Sequence, residues 1–128
     1  MRCLLDTHTF LWSVSDSANL SSTARGLIRD IGNEPLLSIA SLWEIAIKLS
    51  VGKLDLDVTF LELAVEIPTK PRLGSLPITP LHLDIVARLP LHHRDPLDRL
   101  LVAQCLAEQM AIVSIDTALD DYGVERLW

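Results

Sequence analysis

Two short apolar runs that each end in an aspartate constrain this 128-residue chain more than any other feature. Residues 2–5 form one run and are followed by Asp6, and residues 111–115 form the other and are followed by Asp116. Short, continuous apolar runs of this kind are typical of strands buried on both faces of a parallel sheet. Because ligands of such sheets bind beyond the carboxyl ends of the strands, the two aspartates are expected to face one site.

Helical patterns separate the strand candidates along the rest of the chain. This alternation predicts an α/β/α sandwich around a central, mostly parallel sheet of four to five strands, with residues 1–128 as one domain. Helix 41–49 has so few polar residues that it is expected to be substantially buried. The predicted elements are, in order, a strand at 2–5, a helix at 21–31, a strand at 35–39, helices at 41–49 and 60–67, an edge strand within 73–78, helices at 79–89 and 97–109, a strand at 111–115, a short helix, and a terminal strand ending at 128.

The charge balance excludes the simplest kind of nucleic-acid binder. The chain has 11 Lys and Arg residues against 17 Asp and Glu residues, a formal net charge of −6. Its surface is therefore not uniformly basic and cannot gain affinity mainly by releasing counterions from a polyanion. A polyanionic substrate would need a local device, either a bound cation or a small basic patch.

The two cysteines and the hydropathy pattern indicate in which cellular compartment the protein is expected. Cys3 and Cys105 lie within apolar runs and lack CxxC spacing, so they are interpreted as buried thiols of a reducing compartment. We recognise neither a signal peptide nor an apolar stretch of membrane-spanning length. The protein is therefore expected to be cytoplasmic and to make no membrane contact.

Several carboxylates are candidate site residues, and each also has a structural interpretation. Asp6 and Asp116 could instead cap the helical segments that follow them. Glu44 lies at i+3 between Ser41 at i and Lys48 at i+7, so the three form one narrow polar stripe on a largely apolar helix. The alternative is that Glu44 and Lys48 form an ion pair that simply faces water.

The segment 95–99 places two acids at the start of a helix. Asp95 occupies the N-cap position and Pro96 the first helical position, so helix initiation explains Asp95 well. Asp98 is left free to point toward a partner. We therefore prefer Asp98 over Asp95 as a site residue.

Carboxylates that converge on one point need a cation, or some of them must take up protons. They repel one another by ~3 kcal/mol per pair at ~5 Å, for an effective dielectric constant of 20. A hard divalent cation, Mg²⁺ or Mn²⁺, would offset this repulsion, activate water and neutralise charge on a phosphodiester. Zinc is not expected, because no HxxxH pattern occurs and the four histidines are interpreted as surface or helix-end residues. The flanking basic residues Lys48, Arg94 and Arg99 would complete a local cationic spot.

The chain resembles PIN-domain ribonucleases in a series of motifs that spans essentially its whole length. These motifs are LLDTH (4–8), SLWEIAIK (41–48), LPIT (76–79), HHRDPLDRLLVAQ (92–104), and ID (115–116) with YGV (122–124). The similarity is strongest to the VapC-like toxins of bacterial type II toxin–antitoxin systems. HHRDPLDRLL is its most specific part.

The resemblance implies a PIN-like fold and Mg²⁺- or Mn²⁺-dependent endoribonuclease activity on tRNA or another structured RNA. It also implies inhibition by a cognate VapB-like antitoxin and a homodimer. Carried over by position, the catalytic and metal-binding residues are Asp6, Glu44, Asp98 and Asp116. The auxiliary residues are Asp95, Thr7 and Ser41, and those expected to contact RNA phosphates are Lys48, Arg94 and Arg99.

Two questions stay open at the level of sequence. One set of apolar residues forms either an antitoxin surface or ordinary core, namely Trp43, Ile47, Val51, Leu54 and Leu56. The same sheet could also belong to a non-catalytic PIN scaffold or to a phosphate-handling module that acts through protein contacts. A receiver-like phosphoacceptor domain needs paired acids after its first strand, whereas Asp6 is followed by Thr7 and His8.

Overall fold

Strands and helices alternate along the chain. The structure is a computed structural model that describes residues 1–69 and 73–128. None of the helices within these ranges is long and apolar enough to cross a membrane. The strands are β1 (Arg2–Leu5), β2 (Glu34–Ser38), β3 (Gly74–Leu76), β4 (Ala111–Val113) and β5 (Arg126–Leu127). The helices are α1 (Thr7–Val14), α2 (Ser22–Arg29), α3 (Ile39–Ser50), α4 (Phe60–Thr69), α5 (Pro80–Arg88), α6 (Pro96–Glu108) and a 3₁₀-helix (Thr117–Tyr122).

The described strands form one five-stranded parallel sheet in the order β3-β2-β1-β4-β5. The predicted α/β/α fold with a parallel sheet is thereby confirmed, and β3 is the predicted edge strand. From the central strand β1 the chain runs to one side through β2 and β3, and then crosses to the other side for β4 and β5. The crevice at the carboxyl ends of β1 and β4 is therefore the switch point, where ligands of open α/β sheets bind.

Helices cover both faces of the sheet because successive strand residues point to opposite sides. In β1, Leu4 packs in the core that includes residues of α5 and α6. Cys3 and Leu5 pack in the core that includes residues of α1 to α4. Cys3 and Cys105 are both buried and free, as the sequence predicted.

Three element boundaries differ from the prediction, and a polar cap explains one of them. Helix α3 begins at Ile39 rather than Ser41, since the Ser38 hydroxyl accepts a hydrogen bond from the Ala40 amide at 3.0 Å. Helix α2 ends at Arg29, so Ile31, which was predicted to belong to it, is 83% exposed. Strand β4 is two residues shorter than predicted and ends before Ser114.

Helix α3 is buried on one side only, which corrects the expectation that it is substantially buried. Its polar residues Ser41 and Glu44 face inward and are buried, whereas Trp43 is 60% exposed and Ile47 is 39% exposed. The inward polar groups are tolerated there because they have hydrogen-bonding partners on α1.

Candidate active site

Five carboxylates line one small pocket at the switch point of the sheet. Its volume is about 150 Å³, and its other lining residues include Thr7 and Lys48. The acids come from four parts of the chain: the end of β1, α3, the start of α6, and the turn after β4. They are Asp6, Glu44, Asp95, Asp98 and Asp116.

The acids after β1 and β4 cap the following helices and face the pocket at the same time. Asp6 Oδ1 accepts a hydrogen bond from the Thr9 amide at 2.8 Å, and Asp116 Oδ1 accepts one from the Ala118 amide at 3.0 Å. Each carboxylate therefore uses only one oxygen as a cap, and its second oxygen makes other contacts: Asp6 Oδ2 with the Ser114 hydroxyl and Asp116 Oδ2 with His93. The capping interpretation and the site interpretation hold together.

Ser114 connects these two acids and was not among the predicted site residues. Its hydroxyl donates to Asp6 Oδ2 and accepts a hydrogen bond from the Asp116 amide at 3.0 Å. Ser114 is fully buried. The sequence signal for it is a lone polar residue inside the apolar run 111–115, two residues before Asp116.

Glu44 faces the pocket and not the solvent, with only 8% of the residue exposed. The Thr7 hydroxyl donates to Glu44 Oε1 at 2.8 Å and lies 3.0 Å from Ser41 Oγ. Glu44 Oε2 pairs with Lys48 Nζ at 2.8 Å. The polar stripe of α3 is therefore part of the site, and the alternative of an ion pair that merely faces water is wrong.

Asp95 and Asp98 adjoin each other at the start of α6. Asp95 Oδ1 accepts hydrogen bonds from the amides of Leu97 at 2.9 Å and Asp98 at 3.4 Å, so Asp95 caps the helix as predicted. Burial and then the nearby charge of Asp95 raise the pKa of Asp98 to about 7, with smaller contributions from Glu44 and Asp116. Burial is the largest cause of this raised pKa, and the nearby charge of His93 opposes part of the effect of the neighbouring acids.

His93 adjoins the acids, a contact that the sequence did not indicate, and it lies two residues before the N-cap of α6. It was interpreted as a surface or helix-end residue, but its side chain is only 21% exposed and faces the acids. Its Nε2 atom lies 3.5 Å from Asp98 Oδ2 and 3.5 Å from Asp116 Oδ2. His82, given the same interpretation, does stand near a helix start, yet it is fully buried.

The three predicted phosphate-binding residues are placed differently from one another. Lys48 lines the acidic pocket, and Arg94 is exposed on the loop before α6. Arg99 instead donates to the carbonyls of Pro90 at 2.9 Å, Leu89 at 3.2 Å and Val86 at 3.3 Å. The phosphate contact of Arg99 stays a prediction, and in this structure its guanidinium group holds the end of α5 in place.

The chemistry of the donor set fits a hard divalent cation. The pocket offers carboxylate oxygens, which Mg²⁺ and Mn²⁺ prefer, and their mutual repulsion is one that such a cation would offset. Ligand atoms of His93, Asp98 and Asp116 lie within 4.8 Å of one another. The sequence prediction of an oxygen-rich site is consistent with this arrangement.

The fold and the site define the class of this protein. It is an α/β domain with an all-parallel sheet and an acidic pocket at the switch point of that sheet. The chain belongs to the PIN domain family, whose sequence pattern matches residues 3–125. Members of this family are generally nucleases. The predicted membership is thereby confirmed. No match to the sequence was found among curated proteins.

Solved structures of similar fold come from toxin–antitoxin complexes. VapBC2 from Rickettsia felis, bound to a DNA fragment from its promoter, shares 12% identity over 98% of this chain and 97% of that chain, with a TM-score of 0.70. FitAcB from Neisseria gonorrhoeae shares 14% identity over 97% and 95%, with a TM-score of 0.66. A toxin–antitoxin complex from Klebsiella pneumoniae shares 11% identity over 90% and 87%, with a TM-score of 0.63. At these identities the similarity is one of fold.

Proposed function

We propose that this protein is a divalent-cation-dependent endoribonuclease toxin that acts in the cytoplasm on tRNA or another structured RNA. The observation that carries the proposal is the convergence of five carboxylates, from four parts of the chain, on one pocket of a PIN domain. The nuclease character of the family and the fold shared with toxin–antitoxin complexes support it.

In this proposal, Asp6, Glu44, Asp98 and Asp116 hold Mg²⁺ or Mn²⁺. When bound, such a cation supplies an activated water for attack on a phosphodiester and offsets charge on the phosphate. Ser114 and Thr7 donate hydrogen bonds to Asp6 and Glu44 and thereby fix the directions of these carboxylates. Partners of this kind orient metal ligands and increase affinity for the ion.

We assign the phosphate contacts outside the carboxylates to Lys48 and Arg94. Lys48 lines the acidic pocket and pairs with Glu44, so its ammonium group stands beside the place where a scissile phosphate would bind. Arg94 is exposed and directly precedes Asp95, which lines the same pocket. With a net charge of −6, the protein needs a local basic patch to bind a polyanion, and Lys48 and Arg94 would provide it.

We propose that an antitoxin covers the surface between α3 and the acidic pocket, and that the toxin is a homodimer. The exposed side chains of Trp43, Ile47 and Val51 form the outer part of this surface. A groove of about 690 Å³ with Leu54 and Leu56 in its wall forms the inner part. The groove shares two lining residues, His8 and Lys48, with the acidic pocket. An antitoxin segment bound there would lie next to the active site.

Cleavage of RNA by matched variants tests the nuclease proposal. Asp6→Asn and Glu44→Gln should abolish Mg²⁺- or Mn²⁺-dependent cleavage of purified tRNA while the variants remain folded. The control variants Asp84→Asn and Glu125→Gln change exposed acids away from the pocket and should cleave like the wild type. Full activity of the Asp6 and Glu44 variants, or of the wild type in excess EDTA, would contradict the proposal.

A second experiment identifies the substrate. RNA is collected after the wild-type chain is induced in cells without its antitoxin, and the new 5′ ends are sequenced. Cells that express Glu44→Gln provide the background. New ends that cluster in structured RNA, and that are absent from the Glu44→Gln sample, are the expected result.

A further inference from the structure

His93 stands between two of the proposed cation ligands and belongs to neither of their elements. Asp98 lies in α6 and Asp116 lies after β4, and His93 Nε2 is the same distance, 3.5 Å, from an oxygen of each. Both distances exceed those of ordinary N–H···O hydrogen bonds. The ring nitrogen therefore contacts both carboxylates at ion-pair distance without a close hydrogen bond to either, and both keep lone pairs for a cation.

The other ring nitrogen fixes where the proton of His93 resides. His93 Nδ1 accepts a hydrogen bond from the Asp95 backbone amide at 3.0 Å. A nitrogen that accepts from an amide N–H cannot itself carry a proton in that geometry, so the neutral ring holds its proton on Nε2. The atom that faces Asp98 and Asp116 is thus an N–H donor.

The backbone of His93 is fastened to the same part of the fold as Asp116. The His93 amide donates to the Tyr122 hydroxyl at 2.7 Å, and Arg99 Nη1 donates to that hydroxyl at 3.3 Å. Tyr122 ends the 3₁₀-helix that Asp116 caps. The loop that carries His93 is therefore tied at one end to the Asp116 element and at the other to the α6 N-terminus through Asp95.

We propose that His93 is a positioning residue that sets the spacing of Asp98 and Asp116 through the proton on Nε2, and that it is not a ligand of the cation. A ring nitrogen must be unprotonated to bind a metal ion, and the Asp95 amide opposes that tautomer. The part of this inference that concerns a cation rests on the proposed function. The tautomer and the contacts with the two aspartates are properties of the metal-free protein.

Two substitutions separate the donor from the rest of the ring. His93→Gln retains an N–H donor at about the reach of Nε2, whereas His93→Asn retains an acceptor near the position of Nδ1 and loses the donor toward the carboxylates. Isothermal titration with Mn²⁺ should show that His93→Asn binds about tenfold more weakly than the wild type and that His93→Gln stays within about threefold of it, in line with other groups that orient metal ligands. Equal weakening by both substitutions, or none by His93→Asn, would overturn the inference.

The tautomer is measured directly in the wild-type protein by long-range ¹H–¹⁵N NMR of the histidine rings. The expected result is a protonated Nε2 in the metal-free protein and the same pattern after saturation with Mg²⁺. A proton on Nδ1, or loss of the Nε2 proton when Mg²⁺ is added, would refute the positioning role. If the wild type binds neither Mn²⁺ nor Mg²⁺, the proposed function fails, while the metal-free spectrum still decides the tautomer.

Discussion

The Thr7 hydroxyl donates a buried hydrogen bond to Glu44 Oε1 at 2.8 Å, across 37 residues of sequence. Thr7 is the first residue of α1 and directly follows Asp6, so this bond joins the element of one candidate ligand to the side chain of another. Lys48 holds the second oxygen of Glu44. The direction of the Glu44 carboxylate is thus set from two sides.

Replacement of Thr7 by valine tests this relationship, because valine keeps the shape and removes the hydroxyl. We expect the free energy of unfolding to fall by ~1–3 kcal/mol, since a buried carboxylate oxygen loses its donor. Mn²⁺ affinity should fall by about tenfold. Urea denaturation and calorimetric titration measure the two effects. Thr7→Ser, which keeps the hydroxyl, should remain near the wild type, and a serine variant as weak as the valine variant would contradict the argument.

The acids that follow the strands could be found from the sequence because their placement is local. An aspartate that closely follows a buried parallel strand stands at the carboxyl edge of the sheet; Asp6 directly follows β1, and Asp116 comes three residues after the end of β4. What looked like a choice between a cap and a ligand was not one, since a carboxylate has two oxygens. One oxygen caps the helix, so capping does not exclude the proposed role of the other oxygen as a ligand.

Other features of the site depend on tertiary structure and could not be found in this way. Periodicity shows that Ser41 and Glu44 share one side of α3, but it does not show which side the rest of the protein covers. The environment of His93 depends on where the turn after β4 meets the start of α6. Arg99 had the right charge and position for a phosphate contact, yet its guanidinium group lies against the carbonyls at the end of α5.

The raised pKa of Asp98 predicts an unusual pH dependence of stability in the absence of divalent ions. Between the ordinary pKa of an aspartate, about 4, and the folded value of about 7, the folded protein holds a proton that the unfolded chain has lost. The free energy of unfolding in EDTA should therefore fall as pH rises through this window. Asp98→Asn removes this contribution, so above pH 7 it should gain stability relative to the wild type by about 2 kcal/mol, which is about half of the full shift at 1.4 kcal/mol per pKa unit because solvent screens this partly exposed group.

Urea denaturation of the wild type and Asp98→Asn at pH 5 and pH 8 measures this difference. Asp84→Asn changes an exposed acid on α5 and should leave the pH dependence of the wild type intact. A difference between the wild type and Asp98→Asn that does not change with pH would contradict the prediction. In saturating Mn²⁺ the stabilisation by the ion should increase with pH, because the ion binds the ionised carboxylate.

Substitutions of Arg94 and Arg99 should have different effects, one on RNA binding and the other on the free energy of unfolding. Arg99→Gln should lower the free energy of unfolding by roughly 2 kcal/mol, since carbonyls at the end of α5 lose a charged donor. Arg94→Gln should leave stability within about 0.5 kcal/mol of the wild type. It should weaken RNA binding and reduce the slope of log affinity against log salt by about 0.7–1. Binding is measured in EDTA to prevent cleavage, and a reversed pattern would return Arg99 to the RNA site.

Replacement of Trp43 should weaken antitoxin binding and leave stability and RNA cleavage nearly unchanged. Its side chain lies on the outward face of α3 and is 60% exposed, so truncation to alanine should change the free energy of unfolding by no more than about 0.5 kcal/mol. An exposed tryptophan that becomes buried in an interface commonly contributes 2 kcal/mol or more, so antitoxin affinity should fall by about thirtyfold. Calorimetric titration with the purified antitoxin measures the loss, and RNA cleavage by the free variant should be unchanged.

Leu83→Ala removes a comparably exposed apolar residue, 53% exposed on α5, and should bind the antitoxin like the wild type. Loss of affinity in the Leu83 variant but not in the Trp43 variant would move the antitoxin surface from α3 to α5.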